Sequence, residues 1–257
     1  MRDYNETFNT GLKELDDLTG GFQNGQLILV GGRPAMGKSS LAYSIMLNSL
    51  DDPDRNCALF SLDSPANLVI KRLAELKEEQ DIQDGSSPSL SQAFMDISLS
   101  SLFIDSDSND IDEIIKRGMR IKHSGTLIIV DYLQLISAGN IRDEKEKNSE
   151  VLIRLKQLAD EMCCPVLVLS QLSRDIENRR NHRPELKDFA DIPCEAFSYI
   201  DQIMFLYRES YYNDETEFPD ETEIEVVKHS KNKTGVVLTG FNGRTGFYDL
   251  EEDMEDE

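Results

Sequence analysis

Eight consecutive residues restrict what this chain can fold into more than any others. Gly32-Arg33-Pro34-Ala35-Met36-Gly37-Lys38-Ser39 fits the pattern G-x-x-x-x-G-K-[ST]. Before it runs Gln26-Leu27-Ile28-Leu29-Val30, an apolar, β-branched stretch that reads as a buried strand. After it, from Ser40 to Leu50, Leu41, Ile45 and Leu50 fall at roughly helical spacing. Strand, glycine loop and helix in that order form a phosphate cradle. Gly32 and Gly37 let the backbone turn so that successive N–H groups point inward, and the positive end of the helix suits an anion. Lys38 would reach β- and γ-phosphates, and the Ser39 hydroxyl would take one position on a bound Mg²⁺. The loop residues and Ser40 are therefore the candidate contacts for a nucleoside triphosphate.

With 257 residues, 39% of them hydrophobic and 11 Phe, the chain has enough for one large α/β core or two small ones. Its formal net charge of −22 argues against a protein that coats DNA regardless of sequence, because such proteins use a broad basic surface. A local basic loop is still compatible with that charge. Cys57, Cys163, Cys164 and Cys194 show no C-x-x-C spacing and are expected to be buried thiols of a reducing compartment rather than a zinc site or disulfide frame. His123, His182 and His229 are scattered and read as surface or capping residues. No signal peptide and no run of 18 apolar residues is present, which predicts a cytoplasmic protein.

Along the chain, Leu12 to Leu18 reads as a short helical turn between Thr10-Gly11 and Thr19-Gly20-Gly21. Cys57 to Leu62 is a second strand, ending at Asp63-Ser64-Pro65, where Ser64 suits an N-cap and Pro65 a first helical residue. Leu68, Val69, Arg72, Leu73 and Leu76 then make one helix face, while residues 77–100 look like a polar surface excursion. Leu102-Phe103-Ile104 is a short strand, followed by a helix from Asp110 to Lys122. Thr126 to Val130 is a central strand, Val151 to Met162 repeats at helical spacing, and Val166 to Leu169 is another strand. Residues 172–200 are polar and irregular, and four strands complete the chain: Ile203–Tyr207, Ile224–Lys228, Val236–Thr239 and Gly246–Tyr248. Alternating strands and helices predict an α/β fold, a mainly parallel sheet flanked by helices with antiparallel strands at its C-terminal edge.

In open α/β sheets ligands bind beyond the carboxyl ends of the strands. Asp131 follows four apolar β residues, the Walker B pattern, and would hold Mg²⁺ directly or through water. Asp63 could orient the attacking water as general base, and Gln171 could sense the γ-phosphate. Each alone is an ordinary strand-terminal turn residue; beside a P-loop the three form a set.

Several strings carry a resemblance. Thr10-Gly11 through Thr19-Gly20-Gly21-Phe22, the Arg33–Ser39 loop, Val130-Asp131-Tyr132-Leu133-Gln134-Leu135, Leu169-Ser170-Gln171-Leu172-Ser173-Arg174 and Ile203-Met204-Phe205-Leu206-Tyr207-Arg208 occur in order. Together they resemble the C-terminal RecA-like ATPase domain of the DnaB-type replicative DNA helicases. The resemblance covers roughly residues 8–250, so that 1–250 reads as one ATPase domain and 251–257 as a disordered acidic tail. Only about seven residues precede the motor, leaving no counterpart of the family's collar and linker, so weak association is expected without nucleotide. The resemblance implies ATP and Mg²⁺ as ligands, a homo-oligomeric ring with ATP between subunits, single-stranded DNA in its hole, and replication proteins as partners. It also implies that Arg208 and Phe241 sandwich the adenine.

Three positions depart from the family pattern. Asp63 stands where the family has its catalytic Glu. The string that carries the trans-acting Arg finger, Lys-x-Arg-Asn-Gly-Pro-x-Gly, is here Lys228-His229-Ser230-Lys231-Asn232-Lys233-Thr234-Gly235, with Ser230 at the finger and Lys228, Lys231 and Lys233 as candidate trans-site cations. The central DNA loop has Asp188-Phe189-Ala190-Asp191-Ile192-Pro193 in place of Asp-Leu-Arg-Glu-Ser-Gly. That leaves Arg174, Arg179, Arg180, Arg183 and Lys187 as candidate DNA contacts, in a segment 174–187 of net charge +2. The leading reading is an ATP-driven motor on single-stranded DNA. The alternatives are a weakly hydrolysing paralogue that regulates or caps a helicase, and a P-loop phosphotransferase.

Overall fold

A computed structural model describes residues 7–83, 85–86, 89–121, 125–230, 233–243 and 246–248. The expected acidic tail lies outside them, as do His123 and Lys231. The chain opens on α1 (Lys13–Thr19), then β1 (Leu27–Gly32), α2 (Lys38–Leu50), β2 (Asn56–Ser61), α3 (Ala66–Gln83), α4 (Leu90–Leu99), β3 (Leu102–Asp105) and α5 (Ile111–Gly118). It continues with β4 (Thr126–Asp131), α6 (Glu144–Met162), β5 (Val166–Gln171), β6 (Gln202–Tyr207), β7 (Glu221–His229), β8 (Gly235–Asn242) and β9 (Phe247–Tyr248). The strand order is β3-β2-β4-β5-β1-β6-β7-β8-β9. Pairing is parallel from β3 to β6 and antiparallel from β6 to β9, as the sequence predicts.

Alternation along the central strands decides which helices cover which face. Ile28 and Val30 of β1, Leu127 and Ile129 of β4, and Leu167 and Leu169 of β5 pack with Leu41 and Ile45 of α2 and Leu73 and Leu76 of α3. The residues between them, Leu27, Leu29, Ile128, Val130, Val166 and Val168, pack with Ile114 of α5 and Val151 and Leu155 of α6. A strand buried on both faces reads as a continuous apolar run, which is why these strands are plain in the sequence. The chain leaves β1 through α2 and re-enters the sheet at β2, beyond β5 and β4. The crevice at the carboxyl ends of β1, β4 and β5 therefore lies at a topological switch point. Register puts Gly32 level with Gln171, and Ser61 level with Asp131.

Several local expectations are corrected. Residues 77–100 are not an excursion: α3 runs on to Gln83, and α4 packs its buried Ala93 and Ile97 into the α2–α3 face. Ser89 caps α4, its side chain accepting the Gln92 N–H. The acids of α3, Glu75, Glu78, Glu79 and Asp81, are partly buried along its flank rather than in the core, which a polar run of helix formers permits. Helix α3 begins at Ala66, one residue beyond Pro65, whose carbonyl accepts from Leu68 and Val69. Helix α5 ends at Gly118, short of Lys122. Of the thiols, Cys57 and Cys164 are buried but Cys163 and Cys194 are exposed; Cys163 is the left-handed C-cap of α6 (φ 48°). His229 is buried rather than a surface residue, because an irregularity opposite Ile203 and Met204 adds a residue to β7 and turns His229 inward. Among the described residues no helix is long and apolar enough to cross a membrane.

Gly31 shows how closely the loop after β5 is laid on the sheet. A Cβ there would lie 2.6 Å from Phe189 Cζ and 3.0 Å from Leu172 Cδ2. Gly31→Ala is expected to destabilise the fold by about 1–3 kcal/mol through overpacking. Urea unfolding should show a lower midpoint at unchanged slope; an unchanged midpoint would mean that Phe189 yields without cost.

Candidate nucleotide site

The glycine loop joins β1 to α2 at the switch point. Gly37 has φ 96°, and a Cβ there would lie 2.5 Å from Tyr248 Oη, so both conformation and space demand glycine. The Tyr248 hydroxyl donates to the Gly37 carbonyl at 3.3 Å. Lys38 Nζ donates to the carbonyls of Gly32 (2.9 Å) and Arg33 (3.0 Å). Burial pulls its pKa down to about 8, against the opposing pull of Asp131. Asp131, 5% exposed at the end of β4, hydrogen-bonds the Ser39 side chain. Burial raises its carboxyl above the usual range, with the Ser39 bond and Lys38 acting in the opposite direction. Asp63 is exposed just past β2, and its charge acts on Lys38 and Asp131. Lys38, Ser39, Asp63 and Asp131 are thus brought to one place.

The donor set at this place suits Mg²⁺. Among the described residues no group of three or more His, Cys, Asp or Glu could hold an ion. One hydroxyl and one buried carboxylate are instead the partial oxygen set of an ion that keeps waters and shares phosphate oxygens.

Two loop residues turn away from the cradle. Met36 is buried in the core. Arg33, expected to contact nucleotide, is 6% exposed and faces the segment after β5. Its Nε and Nη2 donate to Glu177 Oε1 (3.0 and 2.6 Å) and its Nη1 to the Leu172 carbonyl (2.8 Å). The reason is local: the Glu177 carboxylate and the Leu172 carbonyl lie within its reach, and a buried guanidinium needs such acceptors. Pro34 and Ala35 are exposed at the rim. Gln171 ends β5, and its main chain is clamped by the Gln134 amide, whose Oε1 accepts the Gln171 N–H (3.1 Å) and whose Nε2 donates to the Gln171 carbonyl (3.2 Å).

A cleft of about 290 Å³ opens beside the loop, lined by Ala35, Gly37, Lys38, Ser39 and Ser40 and by Arg72, Arg208, Phe241, Gly243 and Gly246. Arg208 and Phe241, the residues expected to flank the adenine, both line it and meet face to face. The guanidinium carbon sits 4.2 Å from the ring centroid, so the two stack on each other. A base between them needs about 7 Å, two van der Waals spacings. A guanidinium over a ring face is a favourable contact in its own right, and the pair meets directly for that reason.

The cations of the irregular segment are mostly occupied. Arg179 pairs with Glu185 (2.8 Å) and the buried Asp188, and Lys187 pairs with Glu185 (2.6 Å). Arg183 holds both oxygens of Glu223 and lies over Tyr207. Arg174 and Arg180 are exposed. Lys228 is turned inward, its Nζ donating to the carbonyls of Phe197 (2.6 Å) and Ile200. Lys233 is exposed, and the exposed Ser230 accepts a bond from Gln26 Nε2 (3.2 Å).

The model of the DnaB-like helicase C terminal domain matches residues 7–249. The chain belongs to that family. This DnaB-like domain is 34% identical to the replicative DNA helicase DnaC of Bacillus subtilis over 96% of its own length and 57% of the relative's. It is equally identical to the replicative DNA helicase DnaB of Geobacillus stearothermophilus, over 90% of this chain and 54% of that one. The chain thus spans about half the length of these curated relatives. Among solved structures, an isolated ATPase domain superposes with a TM-score of 0.86 at 29% identity, covering 98% of this chain and 94% of that one. A DnaB-like replicative helicase, solved in a study of its interactions with primase, gives 0.86 at 30% identity over 95% and 62%. RadB recombinase, at 20% identity and a TM-score of 0.64, shares the fold.

Three residues of the DnaB-like site escape a reading of motifs. Gln134 is hidden inside Asp131-Tyr132-Leu133-Gln134-Leu135, where only its single amide among apolar neighbours marks it. Tyr248 comes from the far end of the chain, and nothing local announces it. Arg72 falls within the apolar stripe of α3, and a lone cation there was the available signal.

Proposed function

We propose that this chain binds Mg²⁺–ATP and hydrolyses it as the motor module of a ring-forming helicase that acts on single-stranded DNA. The observation that carries this reading is the meeting of Lys38, Ser39 and Asp131, with Asp63 beside them, in a member of a helicase ATPase family. Residues 1–250 would form that motor, with replication proteins, primase among them, as partners. Ser39 and Asp131 would hold Mg²⁺, which supplies charge neutralisation at the β- and γ-phosphates. Lys38 would leave its two carbonyls for phosphate oxygens. Asp63 would accept the proton of the water that attacks the γ-phosphorus as the bond to the bridging oxygen breaks. Gln171, held at its main chain by Gln134, would present its amide to the γ-phosphate and pass its loss to the segment that follows.

A second reading, a slowly hydrolysing paralogue that regulates or caps a helicase, draws support from the occupied cations. Arg179, Arg183 and Lys187 are neutralised within the chain, and Ser230 is engaged with Gln26. Phosphate release with and without single-stranded DNA separates the two: strong stimulation supports the motor, and slow, unresponsive turnover the regulator. Transfer to an acceptor other than water would replace both with a phosphotransferase. Lys38→Ala should weaken Mg²⁺–ATP binding about 10- to 100-fold, the loss of a charge-assisted contact. Its fold should persist, because the ammonium touches carbonyls rather than core atoms. Equal affinities by calorimetry would remove the nucleotide site itself.

A further inference from the structure

Tyr43 has no part in the reaction described above, yet its hydroxyl is buried within the field of Asp131 and Asp63. It stands on α2 four residues after Ser39, so the two share a helix face. Opposite them, Ser61 of β2 lies level with Asp131 of β4. Ser61 continues the line of Cys57 and Leu59, and Asp131 that of Leu127 and Ile129, on the face of the sheet that α2 covers. Two rungs therefore cross from helix to sheet. Ser39 bonds the Asp131 carboxylate, and one turn along the helix the Tyr43 hydroxyl bonds the Ser61 side chain. Tyr43 is 5% exposed and Ser61 1%.

The protons along the second rung have fixed directions. Ser61 Oγ donates to the Ser64 carbonyl at 2.7 Å, so its one proton is used and the Tyr43 O–H donates to it. Burial, with the charges of Asp131 and Asp63 acting in the same direction, keeps that phenol protonated. The Ser61–Ser64 bond closes a turn over Leu62 and Asp63, and the Leu62 N–H is anchored on the Asp131 carbonyl at 2.8 Å. An aspartate is one methylene shorter than a glutamate, so the place of its carboxylate depends closely on the backbone that carries it. We propose that Tyr43 is a positioning residue for hydrolysis, which through Ser61 fixes the turn that presents Asp63 to the attacking water. This rests on Asp63 being the acceptor of the water's proton.

Single-turnover cleavage of Mg²⁺–ATP, set beside calorimetric titration of Mg²⁺–ADP on the same wild type, Tyr43→Phe and Ser61→Ala proteins, tests it. Phenylalanine keeps the buried ring and removes only the hydroxyl. Tyr43→Phe should slow cleavage about 3- to 10-fold, the worth of one neutral hydrogen bond, with ADP affinity unchanged. Ser61→Ala should slow it at least as much, and the double variant no more than Ser61→Ala alone, because either change breaks the same line. Beside Asp63→Glu, Tyr43→Phe should cost less than it does in the wild type, since the longer side chain reaches from a looser turn. Unchanged cleavage in Tyr43→Phe, losses that multiply in the double variant, an undiminished loss beside Asp63→Glu, or weaker ADP binding in place of slower cleavage overturns the proposal. Failure of the folded wild type to cleave ATP, or cleavage indifferent to Asp63→Asn, overturns the hydrolytic reading along with it. A wild type that needs Asp63 but is indifferent to Tyr43→Phe overturns this assignment alone.

Discussion

Ser230→Arg is expected to raise ATP turnover more than any other single change in this chain. An arginine supplied to a neighbouring site contributes on the order of 10³–10⁵-fold to phosphoryl transfer, and that figure is the ceiling for the gain. Ser230 lies just past β7, exposed, with its hydroxyl accepting one bond from Gln26. Replacing it loses that bond and crowds no core atom. Lys228, the other cation of β7 near this point, is fastened to the carbonyls of Phe197 and Ile200 and cannot reach outward without abandoning them. The wild type should therefore turn over slowly and respond little to single-stranded DNA. Phosphate release measured where subunits associate should rise with Ser230→Arg, rise less with Asp63→Glu, and rise most with both. Brisk, DNA-stimulated hydrolysis by the unmodified chain would refute this and assign the finger to Lys231 or Lys233.

Asp63→Asn is expected to remove the hydrolysis that remains, by about 10²–10⁴-fold, the contribution of a positioned general base. The amide keeps the shape of the carboxylate and cannot take a proton from water. Because Asp63 is exposed just past β2, the change should leave the fold and nucleotide affinity nearly intact. Single-turnover hydrolysis set beside binding on the same protein is the decisive pair. A variant that binds and cleaves like the wild type would show that Asp63 is a turn residue after all.

The sheet and the phosphate loop could be read from the sequence because their signals are local. Leu27 to Val30 and Thr126 to Val130 are buried on both faces, so their apolar character is continuous. Glycine at position 37 is demanded by its own backbone angle. What escaped the sequence depends on contacts between distant segments. Nothing beside Arg33 indicates that Glu177 will draw it out of the cradle, and nothing beside Arg179 or Arg183 indicates that Asp188 and Glu223 will neutralise them. The second helix at 90–99 is obscured by Ser91, Asp96 and Ser98, which sit on its solvent side, while its buried residues are only Ala93 and Ile97. Arg208 and Phe241 both line the cleft, but their mutual stacking could not be read from the position of either.

Tyr248 and Phe241 close over Gly37 from across a sequence separation of 211 residues in the case of the tyrosine. During synthesis the chain is extruded from its N-terminus, so the phosphate loop leaves the ribosome long before the hairpin that covers it. Contacts of such range are the slowest to be made, since the intervening chain must first surrender its freedom. A nascent chain halted before β8 would hold the glycine loop with one wall of its cleft missing. The cleft beside the phosphate loop is complete only when the end of the domain has emerged.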